Sequence, residues 1–136
     1  MKSIQRNRAG MIMVEFAITV PILILIIFGS TQIANALYTQ QYLTEVTYHA
    51  ALQGMSPFSN ETNIEDTIED MLNSRGIDIN EANVSVTGTD GTTSFELLPV
   101  GSPFLVSIWV DPETTYGGPA FTDILRIGAV SSGIKQ

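Results

Sequence analysis

The chain has 136 residues, within the range of about 100 to 200 expected of one domain, which excludes a second large catalytic domain. Six Lys and Arg against 14 Asp and Glu give a formal charge of −8, and from Met11 onward only Arg75, Arg126 and Lys135 oppose all the acids. Such a surface repels phosphate backbones, so nucleic acid is not an expected partner, and the lack of cysteine removes disulfides and thiolate metal sites.

Residues 1–10 read as a basic leader: Lys2, Arg6 and Arg8 are half of the basic residues, and no acid precedes Glu15. Met11 to Phe28 is almost wholly apolar and, at about 1.5 Å per helical residue, approaches the hydrocarbon thickness of roughly 30 Å. Continuation through Gly29, Ser30, Thr31 and Gln32 to Ala34 gives spare length, and Pro21 predicts a kink that packed membrane helices tolerate. With the basic residues before the span and none after it until Arg75, residues 1–10 are expected in the cytoplasm and the acidic remainder outside. An ordinary secretory signal, cleaved after the small residues Ala34-Asn35-Ala36, is the alternative. Glu15 argues against it, because an export signal gains nothing from a costly charge inside its apolar run.

From Arg8 the order is Ala9-Gly10, then Met11-Ile12-Met13-Val14-Glu15-Phe16: a small residue at the edge of the apolar run and an acid at its fifth position. This resembles a type IV prepilin-class signal. Glu15-Phe16-Ala17, Pro21, Phe28-Gly29 and the aliphatic and tyrosine stretch to Tyr38 resemble the TadE-like pseudopilins of tight-adherence (Flp-type) pilus systems. That resemblance implies cleavage between Gly10 and Met11 by a prepilin peptidase, a membrane aspartyl enzyme acting on the cytoplasmic side. It makes Phe16 the signal's aromatic residue, and Glu15 the carboxylate that attracts the N-terminal amine of a neighbouring subunit. The implied partners are inner-membrane lipid, the peptidase, other pilin and pilin-like subunits and the assembly machinery. A local reading stands beside it, since Glu15 is in i,i+4 reach of Met11 and an acid suits a helix N-terminus. Met11, Ile12 and Met13 are bulkier than many relatives carry there, and Gln32 stands where an acid is common.

After the span, Ala34, Tyr38, Tyr42, Val46 and Ala50 recur every four residues, with Ile33, Leu37, Leu43 and Tyr48 nearby, predicting an amphipathic continuation ended by Gly54 and Pro57. Tyr38 and Tyr42 fall ten and fourteen residues past Phe28, beyond the headgroups of an upright helix, so packing against the outer domain is expected of them. A second helix is predicted from a Thr62-to-Glu65 capping box or from Asn63, with Ile64, Ile68, Met71 and Leu72 inward and Gly76 closing it. Val84 and Val86 alternate with Ser85 and Thr87, Asp90-Gly91 marks a turn, and Ser94 to Leu98 is the expected returning strand. Pro99 to Pro103 connects to Phe104–Val110, apolar on both faces and expected to be the most buried strand, with Trp109 in the core and Asp111-Pro112 as its stop. Glu113 to Pro119 is expected as a loop and Ile124 to Val130 as the last strand before a polar tail.

No catalytic motif is present: no Gly-x-Ser-x-Gly elbow, no His-Glu-x-x-His pair, no phosphate loop, and His49 has no partner for chemistry. Glu61, Glu65, Asp66, Glu69 and Asp70 lack a spaced cation loop with a turn glycine and suit a helix dipole instead. No enzyme activity, cofactor or metal is expected. The sequence thus predicts an α+β protein: a leader at 1–10, a transmembrane and extended amphipathic helix at 11–55, and an extracytoplasmic domain at 56–136 with one helix and an antiparallel sheet of about four strands. Functionally it predicts a membrane-anchored pilin-like subunit; the alternatives are an uncleaved single-pass assembly factor and a secreted binding domain released after Ala36.

Overall fold

A computed structural model describes residues 2–110 and 127–136, with side chains described from Gly10 onward. The chain divides into two compact units, Met1–Leu37 and Tyr38–Gln136.

From Lys2 onward the first unit belongs to α1, a helix that spans Lys2–Gly54 and continues through Pro21. Its side chains from Met11 to Phe28 are exposed or nearly so, and an 18-residue window reaches a mean hydropathy of 2.7 with none of it buried, long and apolar enough to cross a membrane. The few hydroxyls turn back onto the helix: Thr19 donates to the Glu15 carbonyl at 2.8 Å, and Ser30 and Thr31 both donate to the carbonyl of Ile27. Each of these hydroxyls then has a partner within its own helix, which suits residence in hydrocarbon.

In the second unit α1 buries Thr39, Tyr42, Leu43, Val46, Thr47, Ala50, Ala51 and Gly54. This seam corrects the expected four-residue repeat. Steps of four precess by about 40° each on a helix of 3.6 residues per turn, so Ala34 and Tyr38 fall outside the stripe while the pairs 42/43, 46/47 and 50/51 fill it; Tyr48 is exposed as well.

α2 spans Glu61–Ser74 and starts earlier than either predicted position, because Asn60, in extended conformation, accepts the Asn63 N–H on its side chain at 2.8 Å. Ile64, Ile68 and Leu72 are fully buried, and Met71 is half-buried rather than core. Fourteen residues are marginal as an isolated helix, so these side chains, each contributing about 1.5–3 kcal/mol on burial, decide its stability. The expected stop at Gly76 is present as a complete αL cap: Gly76 has φ +72°, its N–H reaches the Asn73 carbonyl, and the Ile77 N–H reaches Leu72. α2 runs antiparallel to α1 here, for Ile64 near its start lies against Gly54 while the Met71 carbonyl near its end accepts the Tyr42 hydroxyl.

Among the described residues three strands form one antiparallel sheet in the order β1-β2-β3: Ala82–Gly88, Pro103–Val110 and Ile127–Ile134. The α+β class holds, with three strands where about four were expected. The missing one is Ser94–Leu98, which makes a single bridge between Ser94 and Thr87 and then turns into a 3₁₀ helix at Phe95–Leu97. Phe95 leaves the ladder to enter the core, edge-on to Phe104 at 5.0 Å. Its backbone carbonyl, with those of Glu96 and Leu98, is taken by the Lys135 ammonium at 2.8 to 3.2 Å.

β2 is the central strand, but it alternates: Phe104, Val106, Ile108 and Val110 are buried, whereas Trp109 is 43% exposed on the other face. Expected in the core, Trp109 instead covers Gly128 of β3, where a Cβ would come within 2.2 Å of the indole. Phe104 is held between Gly54 and Gly133, at each of which a Cβ would meet its ring at 2.6 Å. β3 runs on past the expected end at Val130, because Ser131 and Ser132 pair with Val106 and Leu105. Ile124–Arg126, Asp111-Pro112 and the loop at 113–119 lie outside the described residues.

Candidate functional site

The five residues singled out in the sequence share the first part of α1. Gly10 is exposed, and a side chain built there would meet nothing within 4 Å, so no packing in this chain demands glycine at that position. Met11 is 76% exposed and Phe16 69%, and Pro21 is exposed inside the continuous helix.

Glu15 is exposed too, one helical turn beyond Met11. Its backbone carbonyl takes the Thr19 hydroxyl, but among the described residues its carboxylate has no cation against it. The site therefore consists of a lone carboxylate flanked by Ile12, Met13, Val14, Phe16 and Ile18, all exposed. It can bind other apolar helices, and one that brings a positive charge to the level of Glu15 gains most, because the pair forms in low dielectric.

Among the described residues, the acids of α2 included, no group of three His, Asp or Glu is arranged to hold an ion. Glu61 accepts the Ser94 hydroxyl at 2.6 Å, a bond between α2 and the start of the 3₁₀ turn. His49 is exposed and meets the Tyr48 ring edge-on, with ring centroids 5.9 Å apart.

Two clusters have no counterpart in the sequence reading. At the end of α2, the Arg75 guanidinium lies over the Tyr38 and Tyr42 rings at 5.1 and 4.8 Å and donates to the Tyr38 hydroxyl, which raises its pKa further; charge attraction from Tyr38, and to a lesser extent from Tyr42 and Glu45, adds to this against desolvation. The only signal for it in the sequence is the i,i+4 spacing of two tyrosines, which does not disclose a cation more than thirty residues away. In the turn after β1, Asp90 accepts from the Thr93 hydroxyl and from the Thr93 and Thr92 amides, which hold its carboxyl down to about 2.

No curated protein and no solved structure matches this chain. The sequence model of the family described as TadE-like protein matches residues 10–52, the stretch that runs from Gly10 through Glu15 and the exposed apolar helix to the buried seam, and in this segment the chain is similar to that family.

Proposed function

We propose that the chain is a pilin-like structural subunit of a tight-adherence pilus, cut between Gly10 and Met11 by a prepilin peptidase, held in the inner membrane by α1 and then assembled with other subunits. The observation that carries this reading is a solitary carboxylate on an exposed apolar helix, five residues past a glycine, within a TadE-like segment.

The chemistry follows from helix geometry. Cleavage after Gly10 leaves Met11 with a free, positively charged amine, and Glu15 lies about 6 Å further along the same axis at about 1.5 Å per residue. The amine of one subunit meets the carboxylate of its neighbour when the two helices are staggered by that distance, which fixes the register between them. Gly10 supports processing as well: glycine in a helix costs about 1 kcal/mol relative to alanine, so α1 is weakened locally beside the peptide bond to be cut. No reaction is assigned to the chain itself; its role is to anchor, to pair and to display the second unit outside the membrane.

The intact mass of the protein purified from its native membrane tests this. A chain beginning at Met11 is expected, and Gly10→Val should leave it uncut. One beginning at Met1 replaces this reading with a fixed, uncleaved anchor. One beginning at Leu37 replaces it with a released domain, an outcome the fold allows because the second compact unit starts at Tyr38.

A further inference from the structure

β1 opens with Ala82-Asn83-Val84-Ser85, and Asn-x-Ser with any residue but proline in the middle is the acceptor triplet for N-glycosylation in exported segments. A second such triplet, Asn60-Glu61-Thr62, stands at the start of α2, and the fold treats the two differently. The Asn60 carboxamide oxygen is committed to the Asn63 amide, and Thr62 lies in the first helical turn, where side chains two residues apart do not face the same way. In β1 the backbone is extended, so Asn83 and Ser85 stand on one face of the strand. Both are exposed, and among the described residues neither side chain has a hydrogen-bond partner. An enzyme that must hold the serine hydroxyl while it activates the asparagine nitrogen therefore finds the two presented together. Asparagine is also disfavoured in strands, and with no bond to make within the sheet it has no evident structural task there.

The surroundings of Asn83 suit a sugar. β1 lies at one edge of the described sheet, and Asn83 is paired with Trp109 of β2. Directly opposed residues share a face with their Cβ atoms about 5 Å apart, so the asparagine stands beside an indole that is 43% exposed. The C–H bonds on one face of a pyranose carry slight positive charge and are attracted to the negative face of an aromatic ring. Glu81, exposed two residues before Asn83, adds a charge by which a cationic group of an enzyme can hold the segment.

We propose that Asn83 is an N-glycosylation site, modified by an oligosaccharyltransferase from a polyprenyl-diphosphate-linked oligosaccharide, with the first sugar resting on Trp109. The carboxamide nitrogen bonds to the anomeric carbon of that sugar as the bond from this carbon to the diphosphate oxygen breaks. Polyprenyl diphosphate leaves with the electron pair, and the amide proton passes to a base of the enzyme. The product places a hydrated chain over the exposed ring on the outer face of the sheet.

The inference rests on the second unit lying outside the membrane, and the experiment reads that separately. The chain has no cysteine of its own, so Thr89→Cys, at an exposed position, reports topology through a membrane-impermeant maleimide applied to spheroplasts. Labelling is expected; its absence overturns the outside placement, and this inference with it. The protein is then purified from its native membrane, and the peptide bearing Asn83 is weighed and fragmented. Added sugar mass on Asn83 is expected, lost in Asn83→Gln and in Ser85→Ala and kept in Ser85→Thr. Unmodified Asn83 in a chain whose Thr89→Cys form is labelled overturns the site and leaves the anchored reading intact. Sugar on Asn60 instead overturns the choice between the two triplets. Nuclear Overhauser contacts between the first sugar and the indole protons are expected in the modified protein, and none would overturn the seat on Trp109.

Discussion

At the level of single residues the chain places its charges sparingly, and two carboxylates show how differently an acid is used. Glu15 has no partner among the described residues, so its proposed role depends on a second chain. Glu15→Ala should leave processing intact and lower incorporation into fibres by roughly thirtyfold or more, since stranding one half of a buried charge pair costs about 2 kcal/mol at least. The fraction of the variant recovered in sheared fibres measures this, and a normal fraction removes the proposed pairing. Asp90, in contrast, is fully satisfied within its own turn by Thr92 and Thr93, and its pKa is about 2 in the folded chain against an ordinary value near 4. A carboxyl lowered by folding stabilises the protein above its unfolded pKa, and that stabilisation fades as the pH drops from about 4 through about 2. Denaturant melts across this interval should show a shallower acid loss for Asp90→Asn than for the unmodified chain; identical slopes would show that the turn does not contribute.

At the level of elements, the ends of α2 carry more than its middle suggests. Asn60→Ala removes the acceptor of the Asn63 amide and should cost about 1 kcal/mol, read as a lower urea midpoint with unchanged slope. Gly76→Ala places a side chain at φ +72° and should cost about 1 to 2 kcal/mol by the same measurement. The two ends were not equally readable beforehand. Gly76 after a run ending in Leu72 is an unambiguous stop, whereas Asn60, Thr62 and Asn63 are all competent to begin a helix, and only the extended backbone at Asn60 decides among them. The strands divide in the same way. The alternation of Val84, Val86 and their neighbours was sufficient to find β1, but the segment from Ser94 to Leu98 reads as a strand by composition. What bends it is the pull of Phe95 into the core and the capture of its carbonyls by a lysine forty residues on. Long-range partners of that kind leave no periodic trace.

For the whole chain, the division between an exposed greasy helix and a small packed unit was plain in the sequence because apolar residues are concentrated between Met11 and Phe28. The candidate site was legible for the same reason, as an acid stands out where all its neighbours are apolar. Arg75 was not legible: its significance comes from which rings it lies on. The second unit has its own core, whose seam on α1 begins at Thr39, so a chain starting at Leu37 should be soluble without detergent, monomeric by light scattering and mixed α and β by circular dichroism. Aggregation of that fragment would mean that the core needs more of α1 than the buried seam.

The indole of Trp109 gives this molecule a built-in optical probe with an unusual view. It is the chain's sole tryptophan and sits on the outward side of the sheet, across β2 from Phe104, Val106 and Ile108. Its emission wavelength will therefore follow whatever comes to rest on that outer side, while remaining comparatively deaf to loosening among the phenylalanines beneath.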